Sequence, residues 1–232
     1  CVLDQVVPRP LLPVANRPLI HYAIDWMEHP SLKRVTVCGN SDTPVLRGAL
    51  ESEPVLARSV DFYVDPMPRG PAGCVKDAAR LQACGTIVAA DGTIVPQVDL
   101  HDLLESHRRS GAVLTVVVVR NTQNGARRAD QLTPMGIYVF SEAALEFVPA
   151  EGYQDIKETL IPKLHTAGLH VGTYITGAQA PRVIGAETYM AVNDWAVEQF
   201  CAQPTAASGF HRAGESLIHE SATVHPSARL VG

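Results

Sequence analysis

Short runs of β-branched and aliphatic residues alternate along the chain with longer stretches in which apolar positions recur every three or four residues. The short runs, Arg34–Cys38, Val60–Val64, Thr86–Ala90, Leu114–Val119 and Gly136–Phe140, read as strands buried on both faces. The longer stretches, Leu19–Met27, Ala72–Cys84, Leu100–Arg109, Tyr153–His165 and Glu187–Cys201, read as helices. Such alternation predicts an α/β fold: a Rossmann-like, mostly parallel sheet flanked by helices, with right-handed crossovers. Ligands of such sheets sit beyond the carboxyl ends of the strands, which directs attention to the loops leaving those ends. Asp99 is expected to cap the helix that follows it, Glu187 to open the last one, and Lys76 and Asp77 to lie on a solvated helix face.

A different period takes over at the end. Ile218, Val224 and Leu230 recur every six residues, and the pairs Ser221/Ser227 and Ala222/Ala228 keep the same step. This is the repeat of a hexapeptide β-helix, in which one apolar residue per hexad points into a triangular coil. Two hexads cannot bury their own faces, so the pattern predicts a coil that continues past Gly232. The expected division is an α/β domain over 1–201, a linker rich in Ala, Gly and Ser over 202–214, and the beginning of the hexapeptide-repeat β-helix over 215–232.

Composition narrows the function classes. Of the 232 residues 46% are apolar, enough for a substantial core in a chain of this length. A net charge of -5 and a pI near 6.0 give no general attraction for nucleic acid, so no nucleic-acid partner is expected. No apolar run is long enough to span a bilayer and no charged-then-apolar leader opens the chain, so no membrane partner is expected either. The cysteines, Cys1, Cys38, Cys74, Cys84 and Cys201, are odd in number and lack a CxxC pair, which fits reduced thiols in a cytoplasmic protein.

Several segments carry candidate chemistry. Pro8-Arg9-Pro10-Leu11-Leu12-Pro13-Val14-Ala15-Asn16-Arg17-Pro18-Leu19-Ile20 resembles the PKPLLPVANKPLI signature of sugar-1-phosphate nucleotidyltransferases, with Arg9 where that family has lysine. Gly70-Pro71-Ala72-Gly73 is similar to the family's Gly-x-Ala-Gly loop ahead of a helix. Ile87 to Leu100 resembles its strand and Asn-Gly-Asp turn, Met135 to Phe140 its Ala-Gly-Ile-Tyr strand, and Asp155 to Leu164 its Asp-Ile-x-x-x-Leu-Ile-Pro-x-Leu helix entry. Ile184-Gly185-Ala186-Glu187-Thr188 follows in the place of a Trp-x-Asp-Ile-Gly-Thr motif. The resemblance implies that Arg9 is catalytic and contacts phosphate. It implies that Gly70, Ala72, Gly73, Asp91 and Gly92 bind nucleotide, and that Gly136 and Gly185 lie against the sugar. The partners implied are a nucleoside triphosphate and a sugar 1-phosphate, or a nucleotide sugar, together with magnesium if the chain is catalytic. A homo-oligomer is a further expectation, since β-helix appendages often assemble subunits in similar proteins.

The departures lie where the family holds its metal. Thr93 stands at the aspartate of the Asn-Gly-Asp turn and Val183 at the aspartate of the later motif, and neither replaces a charged carboxylate for a hard cation. Asp91, two residues before Thr93, is the remaining metal candidate; alternatively it only makes a turn with Gly92. The family's glycine-rich phosphate loop and its Glu-Lys-Pro segment are missing from the string. This predicts interruptions of the backbone after Leu3 and between Arg120 and Thr133. Three readings stay open: an enzyme that joins a nucleoside triphosphate and a sugar 1-phosphate with release of pyrophosphate, a catalytically impaired nucleotide-sugar-binding or regulatory subunit, and an α/β scaffold that uses its β-helix for assembly.

Overall fold

Every strand expected from the pattern is present in the computed structural model, which describes residues 7–39, 43–52, 60–65, 67–80, 85–120, 132–177, 181–202, 209–214 and 216–230. A 3-10 turn at Arg9–Leu11 leads into a small hairpin, β1 (Pro13–Val14) and β2 (Arg17–Pro18). Its two-residue turn places Ala15 (φ 46°) and Asn16 (φ 64°) in the left-handed region. That is the geometry a hairpin turn of this length needs to match strand twist. Asparagine tolerates it, whereas alanine is strained there by about 1 kcal/mol or more. There follow α1 (Leu19–Trp26), β3 (Val35–Gly39), α2 (Thr43–Glu51), β4 (Val60–Val64), α3 (Gly70–Arg80), β5 (Thr86–Ala90), α4 (Leu100–Ser110), β6 (Leu114–Arg120), β7 (Leu132–Ser141) and α5 (Glu142–Glu146). The chain then makes one π-helical turn (Ile156–Leu160) before α6 (Ile161–Thr166), β8 (Val171–Thr176), α7 (Ala186–Ala202), β9 (Phe210–Ala213) and β10 (Ser216–His219).

The sheet is mixed rather than mostly parallel. Its order is β5-β7-β6-β8, with β7 antiparallel to both β5 and β6 and β8 parallel to β6; β3 and β4 form a separate parallel pair. No described helix separates β6 from β7, so the chain returns beside itself, whereas the helical turns between β7 and β8 carry it across to re-enter parallel to β6. Both faces of the sheet are covered. Leu114, Val116, Val118, Tyr138 and Phe140 pack on one side with Ala72, Ile156, Leu160 and Leu164. Val117, Ile137 and Val139 pack on the other with Leu100, Leu103 and Leu104 of α4.

Local chemistry sets the helix ends. The Asp99 carboxylate accepts from Asp102 N at 3.0 Å, as its position predicted. The helix expected over 153–165 instead begins at Ile156, because the Asp155 carboxylate accepts from Lys157 N (2.7 Å) and Glu158 N (2.9 Å) and so caps the chain there. Pro162 has no N–H for the carbonyl four residues back, and the π turn gives way to α6 at this point.

On the buried face of α4, His107 is 5% exposed and its Nδ1 lies 2.8 Å from Thr115 Oγ. Burial first, and Arg108 second, pull its pKa below the ordinary 6.5. The unfolded chain therefore binds a proton that the folded protein refuses, and stability falls as pH drops through about 6.5 towards the lowered folded value. Melting temperatures measured from about pH 7.5 to about pH 5 should fall less steeply for His107→Gln than for the wild type. Equal slopes would contradict this account.

Near the end of the chain, β9 and β10 form an antiparallel hairpin, so Phe210–Ala213, within the stretch read as a linker, is a strand. After β10 the six-residue period takes the form of a repeated turn. Ala222 N donates to His219 O and Ala228 N to His225 O, each at 2.9 Å, and the Nδ1 atoms of His219 and His225 meet Ser221 Oγ and Ser227 Oγ at 2.6 and 2.7 Å. No β-helix coil is formed among the described residues. The junctions after Leu3 and between Arg120 and Thr133 fall on residues 1–6 and 121–131, which lie outside the described residues. Cys38 and Cys74 are free thiols. Among the described residues no helix is long and apolar enough to cross a membrane.

Candidate functional site

The loop carrying Arg9 is fastened at several points. Leu12, Val14 and Leu19 are buried against Val95, Val183, Val192 and Ala196. Tyr22 Oη donates to Val14 O (2.9 Å), Tyr189 Oη donates to Pro13 O (2.6 Å), and Ala15 N donates to Asn193 Oδ1 (3.0 Å). The loop is thereby pinned to α1 and α7. Its Pro10 ring lies 3.8 Å from where a Cβ on Gly92 would be, which brings the Arg9 loop onto the turn after β5.

That turn is organised by Asp91. One carboxylate oxygen, Oδ1, accepts from Thr93 N (3.0 Å) and Thr93 Oγ (2.7 Å); the other, Oδ2, accepts from the guanidinium of Arg182. Asp91 N donates to Gly136 O at 3.0 Å. Gly136 has φ +82°, and a Cβ there would come within 3.3 Å of Asp91 Cβ and 4.0 Å of Arg182 Nη1. The bare backbone of Gly136 thus makes room for the Asp91–Arg182 pair. Thr93 and Val183, far apart in sequence, meet here: Ile94 and Arg182 form an isolated antiparallel bridge, and Val183 N donates to Thr93 O at 2.9 Å. Val183 is fully buried. Arg182 carries no motif of its own; the only sequence signal was a cation beside a position where the resembled family has a carboxylate.

The Asp91 carboxylate thus holds the turn through Thr93 and pairs with Arg182. A magnesium ion asks for about six oxygen ligands in near-octahedral array. Here both carboxylate oxygens of Asp91 are engaged, one of them by a cation, the Thr93 hydroxyl is turned to Asp91, and Val183 offers nothing. Among the described residues no group of three or more His, Cys, Asp or Glu gathers to hold a metal. These donors do not fit a divalent cation.

The Gly70–Gly73 loop uses its glycines internally. A Cβ on Gly70 (φ +76°) would lie 2.6 Å from Gln154 O and 3.0 Å from the Tyr153 ring, and one on Gly73 would lie 2.6 Å from Arg69 Cβ. Ala72 is fully buried and its N–H donates to Gln154 O at 3.0 Å, while Gln154 N donates to Arg69 O at 2.6 Å. Lys76 and Asp77 are not a solvated face: the Lys76 ammonium donates to Val148 O, and the Asp77 carboxylate, 14% exposed, accepts from Arg69. Gly185, by contrast, is open, with nothing within 4 Å of an added Cβ. The N–H groups of Ile184 and Gly185 both donate to Thr188 Oγ ahead of α7, where Glu187 stands in the first turn as expected.

Asp91, Gly92, Gly136, Tyr138, Asp155, Lys157 and Arg182 all line one cavity of about 1060 Å³ that extends between β3, α3 and β5. Burial, and then Asp155, raises the Tyr138 phenol pKa, with Arg182 acting against them. The cavity lining therefore carries two carboxylates, Asp91 and Asp155, the neutral Tyr138 phenol, and five cations, Lys33, Arg34, Arg108, Lys157 and Arg182, the last two being the ones that share its Asp91–Asp155 end.

Known proteins agree with this architecture. Over 255 aligned residues the chain is 23% identical to a mannose-1-phosphate guanylyltransferase of Mycobacterium tuberculosis, covering 99% of this chain and 69% of that one. Over 152 residues it is 30% identical to a mannose-1-phosphate guanyltransferase of Pichia angusta, covering 63% of this chain and 42% of the relative. The crystal structure of HddC from Yersinia pseudotuberculosis complexed with GMP-PN superposes with a TM-score of 0.66 at 16% identity, over 82% of this chain and 90% of that one, and so shares the fold. The sequence profile described as nucleotidyl transferase matches residues 3–128. With more than half of its length inside that match, the chain belongs to the nucleotidyl transferase family.

Proposed function

We propose that the chain forms a nucleotide sugar from a nucleoside triphosphate and a sugar 1-phosphate, with release of pyrophosphate. The observation that carries this reading is convergence: the Arg9 loop, the Asp91–Thr93 turn, Gly136 and Arg182, separated by up to 173 residues in sequence, meet at one end of β5. In the reaction an oxygen of the sugar phosphate attacks the α-phosphorus, the bond between the α-phosphorus and the bridging oxygen breaks, and pyrophosphate carries away the electron pair. Such a step rests on positioning and on neutralising phosphate charge. Arg9, in the loop that reaches the turn, and Arg182, on the cavity lining, are the cations that would serve it, and the open backbone at Gly185 would suit the sugar. Guanosine triphosphate and mannose 1-phosphate are the first pair to test, because both relatives above carry that activity in their names. The repeated six-residue turn supports the same division as in that proposal: an α/β domain over 1–201, a connection over 202–214, and a hexapeptide segment over 215–232 through which copies would assemble in the cytoplasm.

One observation favours a second reading, a binding or regulatory subunit: Thr93 and Val183 remove both family carboxylates. The full chain, incubated with guanosine triphosphate and the other common triphosphates, a panel of sugar 1-phosphates and magnesium, should release pyrophosphate with one pair. No pyrophosphate from any pair, together with nucleotide-sugar binding by calorimetry, would replace the enzyme with the binding subunit.

A further inference from the structure

We infer that Arg182 is a phosphate-gripping group of this site, so that the guanidinium oriented by Asp91 takes a diphosphate through its remaining N–H donors where other arrangements would need a divalent cation. The inference rests on the nucleotide-sugar reading for its location. It begins from the mismatch already described: the residues at the turn do not fit magnesium, yet the turn is not left without positive charge. Arg182 sits one residue before Val183, and the Ile94–Arg182 bridge fixes its backbone against the turn itself. Its guanidinium is oriented by the Asp91 carboxylate and lies over the bare backbone of Gly136.

A guanidinium has five N–H donors in a planar fork. Asp91 Oδ2 takes one edge of it. Arg182 lines the cavity and its side chain is 44% exposed, which leaves donors for a ligand. A carboxylate on one edge and a phosphate on the other is a geometry that a fork serves and a compact ammonium does not. The pair alone is neutral. Binding a diphosphate therefore leaves net negative charge, which Lys157 on the same cavity lining offsets. The consequence is a phosphate grip whose strength does not depend on free magnesium.

Calorimetry on the full chain tests this with a guanosine diphosphate sugar, GDP-mannose, as the probe, in magnesium and again in excess EDTA. The expected result is affinities within about twofold of each other in the two buffers. Arg182→Gln should weaken binding by about tenfold or more in both, and Arg182→Lys should fall between, since it keeps the charge and loses the fork. Thermal melts of both variants separate lost grip from lost fold, and a variant that melts with the wild type yet binds weakly supports the assignment. Tenfold tighter binding in magnesium than in EDTA would overturn it, as would wild-type affinity in Arg182→Gln. If neither GDP-mannose nor any other nucleotide sugar binds, the function proposed above fails, but inorganic pyrophosphate still decides this inference. Pyrophosphate binding in EDTA that Arg182→Gln abolishes supports it; no pyrophosphate binding to the wild type overturns it.

Discussion

Gly70→Ala should lower stability by roughly 3 kcal/mol and the melting temperature by about 6–12 °C. Two separate costs combine at this position. With φ at +76° the residue lies in the left-handed region, where an L side chain costs about 1–2 kcal/mol. The added Cβ would also meet Gln154 O at 2.6 Å and the Tyr153 ring at 3.0 Å, and the first of these is backbone that cannot simply rotate away. Relief would require the 153–154 segment to lift, breaking the bonds from Ala72 N to Gln154 O and from Gln154 N to Arg69 O that seat the start of α3. A matched control lies in α2: Gly48 has a helical position and nothing within 4 Å of an added Cβ, so Gly48→Ala should stabilise by up to about 1 kcal/mol. Differential scanning calorimetry of the two variants should move in opposite directions. Unchanged melting of Gly70→Ala would mean that the loop is not clamped as described.

The Gly70 case also shows where sequence reading reached its limit. A glycine announces that the space of a Cβ is needed, but not what fills it. Gly70 and Gly73 are expected to bind nucleotide, and on the side where a Cβ would stand they meet Tyr153, Gln154 and Arg69. Gly136 was expected to lie against a sugar, and an ion pair occupies its near side. Element type was legible because burial imposes a period on the residues: β4 and β5 begin and end where the apolar runs do. Strand direction was not, because the same run of residues fits a parallel or an antiparallel neighbour, and β7 runs antiparallel to both of its neighbours. The edge strand β8, interrupted by Gly172 and alternating only weakly, gave too little signal to be seen at all. Arg182 was invisible for a related reason. Its partner is 91 residues away, and only the bridge between Ile94 and Arg182 brings the two together.

Restoring the missing carboxylate, Val183→Asp, should cost about 3–5 kcal/mol and lower the melting temperature by about 6–20 °C, without creating a magnesium site. The Val183 side chain is fully buried among Leu12, Val14, Leu19, Val95, Val192 and Ala196, all apolar. Its N–H is already committed to Thr93 O, and the Arg182 guanidinium is 44% exposed and paired with Asp91, whereas position 183 lies inside the apolar cluster. An aspartate there has three outcomes, each unfavourable. It can remain buried and ionised without a partner, take up a proton and stay unsatisfied, or turn outward and open the packing that seats the Arg9 loop. Val183→Thr, nearly the same size and uncharged, separates charge from polarity and should cost only about 1–3 kcal/mol. Melts with and without magnesium make the decisive comparison. If magnesium raises the melting temperature of Val183→Asp but leaves the wild type unmoved, the carboxylate has found a cation, and the apolar character of position 183 is a one-residue loss. If magnesium moves neither protein, the surrounding core has been rebuilt around valine, and the charge at this turn belongs to Arg182.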